Sequence, residues 1–291
     1  MYNDFVSTLE SLRIGEFARR VGVNAALLRA WERRYGLLQP VRSPGGFRLY
    51  SSEDAERVAR MRRGLAEGLS AAEAARAALQ SAQPSDGLLE DAASRLLAAI
   101  HDYDEAAVQA ILDESFASFG LEAVLRELIL PTLTKVGLEW HEGTLAVSQE
   151  HFASNLIRAR LLSLARMWGR GGGPLALLAC APGEQHDITL LCFGLLLRSY
   201  GWRIVFLGAD TPIATLTEAV ETTLPALTVL ASFDPDLLET EATALRRLAK
   251  RVRLVLSGPG ATDAFCTKLG VQRLDGDLVR AAGEIGLTTS G

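Results

Sequence analysis

Leu175-Ala176-Leu177-Leu178-Ala179-Cys180 and the segment directly after it, Gly183-Glu184-Gln185-His186-Asp187-Ile188, decide the fold. The first six residues run apolar without alternation, as in a short strand covered on both faces. The pattern then recurs. Apolar runs at Arg203–Leu207, Leu227–Ala231 and Arg253–Leu256 alternate with helical periods near 186–200, 212–224, 236–251 and 261–268. A short strand near 271–274 and a helix near 276–287 follow. Strands alternating with helices predict a doubly wound α/β domain with a parallel sheet, Rossmann-like, over residues 174–291. Ligands of such sheets bind beyond the strand C-termini, where Gly183–Ile188 falls.

Upstream, Gly169-Arg170-Gly171-Gly172-Gly173-Pro174 reads as a linker. Residues 86–168 carry a 3.6-residue period broken at Asp102–Asp104, Gly120 and Glu142-Gly143-Thr144, which predicts a four-helix bundle. A second linker, Ser81–Gly87, sets off a head at 12–80. There Ile14, Phe17, Ala18 and Val21 share one helix face, and Val21-Gly22-Val23 makes a turn. Asn24 caps a second helix, with Leu27, Leu28 and Trp31 inward and Gly36 at its end. This is the outline of a helix-turn-helix. Pro40–Tyr50 reads as a hairpin around Ser43-Pro44-Gly45-Gly46; Ser52 opens a third helix and Ser70 caps a fourth. Residues 1–11 show no period and read as a loose arm.

With 48% apolar and 22% charged residues in 291, the composition is that of a soluble globular chain. Cys180, Cys192 and Cys266 are odd in number and far apart, which excludes a disulfide framework and a Cys-x-x-Cys knuckle. No membrane span or signal segment is recognisable, so a cytoplasmic protein is expected. The net charge is −5, but residues 12–64 carry twelve Arg, no Lys and five acids. That leaves +7 on this stretch and −12 on the rest. A basic module on an acidic body suggests a DNA-binding head, the plainer alternative being a solvated basic face. Arg29, Arg33 and Arg34 point outward from the candidate recognition helix Asn24–Tyr35, and Arg42 and Arg48 flank the hairpin tip. Tyr50 is counted with them as a DNA-side candidate, although it and Trp31 read more readily as core.

His186, at a strand end, can offer its imidazole to a metal, with Glu184 as the acceptor that fixes its tautomer. On its own, a histidine in such a loop is more often structural. Four histidines without neighbouring cysteines do not make a protein-only zinc site, so any metal would arrive in a cofactor.

Leu28-Arg29-Ala30-Trp31-Glu32-Arg33-Arg34-Tyr35-Gly36-Leu37-Leu38, followed by Arg42 and Gly45-Gly46-Phe47-Arg48-Leu49-Tyr50, resembles the winged helix-turn-helix of MerR-type transcription regulators. The α/β domain resembles the cobalamin-binding domain, whose signature Asp/Glu-x-His-x-x-Gly is met by Glu184 and His186, with Thr189 at the glycine position. Ser232 stands at the later strand end, and Gly258-Pro259-Gly260 at the family's Gly-Gly. Trp140-His141 and, after nine residues counted from Trp140, Glu150-His151 resemble the bundle signature of light-sensing MerR-type repressors that use adenosylcobalamin, the CarH/LitR type.

That resemblance implies a regulator rather than an enzyme. It implies cobalamin between bundle and α/β domain, held by these residues, with His186 as lower cobalt ligand and the adenosyl group covered by Trp140, Glu150 and His151. It further implies a dark homotetramer, a dimer of dimers, on double-stranded operator DNA, commonly upstream of carotenoid-synthesis genes. Light would break the cobalt–carbon bond, let His141 reach the cobalt from above, and release the promoter. Two other readings stay open. A corrinoid methyl carrier would use the same Glu184-x-His186 but leave the winged head unexplained. A regulator whose α/β domain works without cofactor remains compatible with Thr189 and Pro259.

Overall fold

The computed structural model describes residues 12–43, 45–66, 69–80, 87–166, 168–274 and 276–288. The arm at 1–11, Pro44 of the hairpin turn and all of the 81–87 linker but Gly87 lie outside the described residues. Two compact units result, residues 1–84 with 283–291, and residues 85–282.

The head begins with a strand that its sequence does not announce: β1 (Leu12–Arg13) pairs antiparallel with a later strand, Leu12 opposite Tyr50. Two residues carry no detectable period. The helix-turn-helix follows as α1 (Ile14–Val21) and α2 (Ala25–Tyr35). Asn24 Oδ1 accepts the N–H groups of Ala26 at 2.7 Å and Leu27 at 3.2 Å, which satisfies donors the first turn of α2 leaves open. The wing is β2 (Val41–Arg42) and β3 (Arg48–Tyr50), its tip closed by the Phe47 N–H on Ser43 Oγ at 3.2 Å. Behind it come α3 (Ser52–Ala66) and α4 (Ala71–Gln80). Ser70 and Glu73 form a reciprocal capping box at the start of α4. Phe17, Leu28, Trp31, Tyr50 and Met61 meet in one core.

The bundle consists of α5 (Leu88–His101), α6 (Glu105–Ser118), a third helix in three pieces and α9 (Val147–Leu164). The third runs from α7 (Leu121–Ala123) through a π-helical turn, Val124–Ile129, into α8 (Leu130–His141). Pro131 accounts for the interruption. It has no N–H for the carbonyl four residues back, and a π turn carries the extra residue that lets the ladder restart. Leu96, Ile100, Leu112, Leu125, Leu128 and Ile157 fill the interior.

The last domain runs β4 (Leu175–Cys180), α10 (Ile188–Ser199), β5 (Arg203–Gly208), α11 (Ile213–Thr223), β6 (Leu227–Ala231), α12 (Pro235–Thr240), α13 (Ala242–Leu248), β7 (Leu254–Ser257), α14 (Asp263–Leu269), β8 (Gln272–Arg273) and α15 (Leu278–Thr288). One helix expected near 236–251 is thus two, broken at Glu241. All five strands are parallel in the order β5-β4-β6-β7-β8. The winding reverses between β4 and β6, so their C-terminal ends flank the crevice where such sheets take ligands.

The glycine run at 169–174 is no free linker. Trp168 is buried, packs edge-on to Phe206 at 5.7 Å, and its carbonyl accepts the Ile204 N–H at 2.9 Å. A Cβ at Gly173 would stand 2.0 Å from the Gly201 carbonyl oxygen. The bundle and the α/β domain as far as Ala282 fall within one compact unit, residues 85–282.

Candidate functional site

Glu184 is the hub of the crevice. Its carboxylate is 3% exposed. Oε1 accepts the backbone N–H of His186 at 2.9 Å and pairs with its Nδ1 at 2.6 Å; Oε2 accepts the Phe233 N–H at 2.6 Å. The Ser232 hydroxyl lies 3.5 Å from the same Oε2 and donates to the Asp234 carbonyl at 2.8 Å. Burial pushes the Glu184 carboxyl up, but the N–H groups of Phe233 and His186 and the imidazole outweigh it and hold the pKa below its ordinary value. Residues 184–186 after β4 and 232–233 after β6 thus close on one carboxylate.

With Nδ1 held, the His186 imidazole is presented by its other nitrogen. The side chain is 68% exposed, its ring 4.9 Å from that of Phe233, and Nε2 makes no hydrogen bond among the described residues. This is the arrangement of a metal-facing histidine with an outer-shell carboxylate. No group of three or more His, Cys, Asp or Glu that could hold a metal occurs among the described residues. The site offers one imidazole and no cage, which fits a metal that a macrocycle would already hold. The neighbouring Cys180 thiol is raised to about 12 by burial, then by Asp187 and Glu184, and is no competing ligand.

Gly258 and Gly260 serve the same crevice through the backbone. A Cβ at Gly258, whose φ is +87°, would stand 2.4 Å from the Ser232 carbonyl oxygen, and one at Gly260 would stand 2.7 Å from that of Asp234. They let the loops after β6 and β7 touch. Thr189 is the second residue of α10 and half-buried.

In the bundle, Trp140 and His141 end α8, and both are exposed. The spacing to Glu150 has a cause. The Glu139 carbonyl accepts the N–H groups of Thr144 and Leu145, and its carboxylate pairs with His101 Nε2 at 2.8 Å. Gln149 Nε2 donates to the His101 carbonyl at 2.7 Å. His101, Glu139 and Gln149 thus pin the turn between α8 and α9; nothing in the sequence reading singled them out. On α9, Glu150 Oε2 pairs with His151 Nδ1 at 2.9 Å and Oε1 accepts the Ser154 hydroxyl at 2.6 Å. Among the described residues no hydrogen bond joins Trp140, His141, Glu150 or His151 directly to the Glu184–His186 pair. The connection runs along α9, where Arg158 reaches Asp187 beside His186.

In the head, Arg29, Arg33, Arg34 and Arg42 are exposed as expected. Arg48 is half-exposed, with Nε on Glu32 Oε1 at 3.0 Å. Tyr50 follows the core reading rather than the DNA-side one. It is 1% exposed, stacks on Phe17 at 4.8 Å and donates its hydroxyl to Glu32 Oε2 at 2.9 Å. Burial, then Glu32, raise its phenol to about 12. Its side chain belongs to the core, not to the DNA side. Two arginines were not singled out: Arg13, stacked over Phe47 at 4.3 Å, and Arg19. With Arg29 and Arg48 they line a cleft of about 880 Å³ between α1, α2 and the wing. The twelve-arginine count contained them, but no spacing rule set them apart.

Residues 12–81 match the model of the MerR HTH family regulatory protein, and residues 92–164 that of the B12 binding domain. The chain is 36% identical to the HTH-type transcriptional repressor CarH of Myxococcus xanthus, over 91% of this chain and 95% of that one. It is 35% identical to the HTH-type transcriptional repressor CarA of the same organism, over 87% and 88%. The solved monomethylamine corrinoid protein of Methanosarcina barkeri shares the fold of the body, with a TM-score of 0.57 at 18% identity over 68% of this chain and 98% of that one. No described helix is long and apolar enough to cross a membrane. A MerR head, a B12 binding domain and end-to-end similarity to two repressors together make the chain a member of the CarH and CarA family of HTH-type transcriptional repressors.

Proposed function

We propose that the protein is a light-responsive transcriptional repressor that takes adenosylcobalamin as its chromophore. The observation that carries this reading is the Glu184–His186 pair: an imidazole locked at Nδ1, exposed at Nε2, at the sheet's ligand crevice, in a chain that also bears a MerR head. Glu184 orients the ring and selects the tautomer with Nε2 free. Trp140, exposed at the end of α8, supplies apolar cover from the bundle, and Glu150 and His151 supply polar contacts beside it. Adenosylcobalamin, when bound, supplies a cobalt–carbon bond that visible light breaks. His141, next to Trp140, would supply a second imidazole to the group from the bundle.

Repression then follows from population shift. Trp140, Glu150 and His151, in contact with the bound group, would favour one packing of the bundle on the α/β domain, a preference that would be absent without those contacts. In the dark, assembly into tetramers holds several heads on one operator, so avidity multiplies the weak grip of each. Arg29, Arg33 and Arg34 read or grip DNA from α2, while Arg42 and Arg48 follow its backbone from the wing.

The test loads the full chain with adenosylcobalamin in the dark. It records absorption, gel-filtration volume and operator binding before and after green light. The expected result is a larger dark oligomer, tighter dark binding and a spectral change on illumination. His186→Ala is expected to lose the histidine-dependent cobalt band and retain less cofactor through desalting. One elution volume and one DNA affinity in dark and light, with cofactor bound, would refute the photoreceptor reading.

A further inference from the structure

We propose that Arg158 is a positioning residue for the metal-facing imidazole. Through Asp187 it ties the loop that carries His186 to the face of α9 that carries Glu150, so that lower ligand and bundle cover keep one register. The proposal rests on the reading of His186 as cobalt ligand given above.

Asp187 occupies the N-cap position of α10, where an aspartate carboxylate ordinarily accepts N–H groups of the first helical turn. It makes no such bond. Its Oδ1 accepts from Arg158 Nε at 3.0 Å and from Nη2 of the same guanidinium. A residue suited to capping its own helix has been turned toward another domain.

The carboxylate is also buried, 6% exposed against 38% for the Arg158 side chain. Burial makes its commitment to that one guanidinium costly to break, because a buried charge without a partner is unfavourable. The backbone of Asp187 is fixed as well. Its N–H donates to the Gln185 carbonyl at 3.1 Å, and its carbonyl accepts the Leu191 N–H at 2.9 Å. His186 is therefore gripped on one side by Glu184 from within the α/β domain and on the other by Asp187, which the bundle holds.

On α9, Glu150, Ser154 and Arg158 recur every four residues and so share one face. Glu150 and Arg158 lie about 12 Å apart along the helix axis. Any slide or tilt of α9 that moves Glu150 must either carry Asp187 along or break the Arg158–Asp187 pair. A shift at Glu150 is then felt at the loop that carries His186. That gives coupling between bundle and lower ligand a physical element that both sides can bias.

The experiment uses full-length protein labelled with [15N]histidine and loaded with cob(II)alamin. Electron paramagnetic resonance distinguishes a 15N histidine ligand, a doublet superhyperfine splitting, from the unlabelled nucleotide base, a triplet. Every sample, the wild-type reference included, carries His141→Ala so that the second imidazole cannot supply the doublet; the reference is expected to give the doublet and His186→Ala to lose it. Arg158→Met is expected to lower the ratio of histidine-bound to histidine-free cobalt about tenfold, the lower end of what losing an outer-shell partner costs a metal site. Arg158→Lys should recover part of that ratio, since it keeps a cation at Asp187. Arg158→Met leaves a buried carboxylate uncompensated and can unfold the chain, so the paired variant Arg158→Met/Asp187→Asn is measured beside it, with the same loss expected. Reference ratios in both would overturn the positioning role while leaving the ligand assignment intact, provided His186→Ala loses the doublet. A doublet that survives His186→Ala would overturn the ligand assignment itself.

Discussion

Glu184→Gln is the sharpest perturbation of the crevice because it keeps shape and removes one acceptor. The carboxylate accepts on both oxygens: His186 N–H at 2.9 Å and Nδ1 at 2.6 Å on one, Phe233 N–H at 2.6 Å on the other. A glutamine accepts on one side only. Whichever way the amide turns, its NH2 faces a backbone N–H, and that donor is stranded in a site where the wild-type side chain is 3% exposed. A hydrogen bond to a charged group contributes about 1.5–3 kcal/mol. Relief of the buried carboxylate's desolvation returns part of it, so the net loss is about 2 kcal/mol. For a body of this size that lowers the melting temperature by about 4–8 °C. The pH dependence has a definite sign. The Glu184 pKa is depressed in the folded state, so the stability it contributes is full above its ordinary value of 4.5 and is lost as pH falls through the lowered value. The gap between wild type and Glu184→Gln should be full at neutral pH and close in acid. Thermal denaturation of both proteins across that range tests it. Equal melting temperatures at neutral pH, or a gap that persists undiminished in acid, would refute the view of this carboxylate as the hub.

Arg29→Ala and Arg33→Ala should each weaken specific operator binding, by about 1–3 kcal/mol wherever the arginine pairs with a base through two hydrogen bonds. Arg48→Ala should weaken binding evenly across sequences and flatten the salt dependence; titrations at several salt concentrations separate the two, and unchanged affinity in all three variants would remove α2 and the wing from the interface. Gly258→Ala places a Cβ 2.4 Å from the Ser232 carbonyl at a φ of +87°, so it should cost about 1–3 kcal/mol and loosen cobalamin retention. A variant as stable and retentive as wild type would show that the loops after β6 and β7 do not need this approach.

Much of the architecture could be read from period alone. The continuous apolar strands β4, β6 and β7 are buried on both faces, so their sequences carry no alternation and mark a parallel sheet. Position at a strand end was enough to connect Glu184 with His186. What the sequence hid depends on contacts between distant residues. Strand β1 exists because β3 offers an edge; its two residues have no pattern of their own. Nothing in the sequence marks Arg158, since its partner Asp187 lies beyond the glycine run. Tyr50 stands among the DNA-side candidates yet reads more readily as core, and the head's packing turns its ring onto Phe17. Glycine-rich composition suggested slack at 169–174, but Gly173 is there to let two backbones meet.

The seat of Trp168 bears on how such a chain could be recombined. Gly194 on α10 leaves space for the indole; a Cβ there would stand 2.9 Å from both Trp168 Cη2 and Leu178 Cδ1. A crossover inside the glycine run would therefore separate the α/β domain from the side chain that fills its flank. Emptying a buried tryptophan site costs about 3–5 kcal/mol, a large part of the about 5–15 kcal/mol that holds a typical domain folded. A viable exchange would have to cut ahead of Trp168, so that the sheet inherits its plug along with its strands. The unit that can be transplanted thus begins within what composition assigns to the helical module.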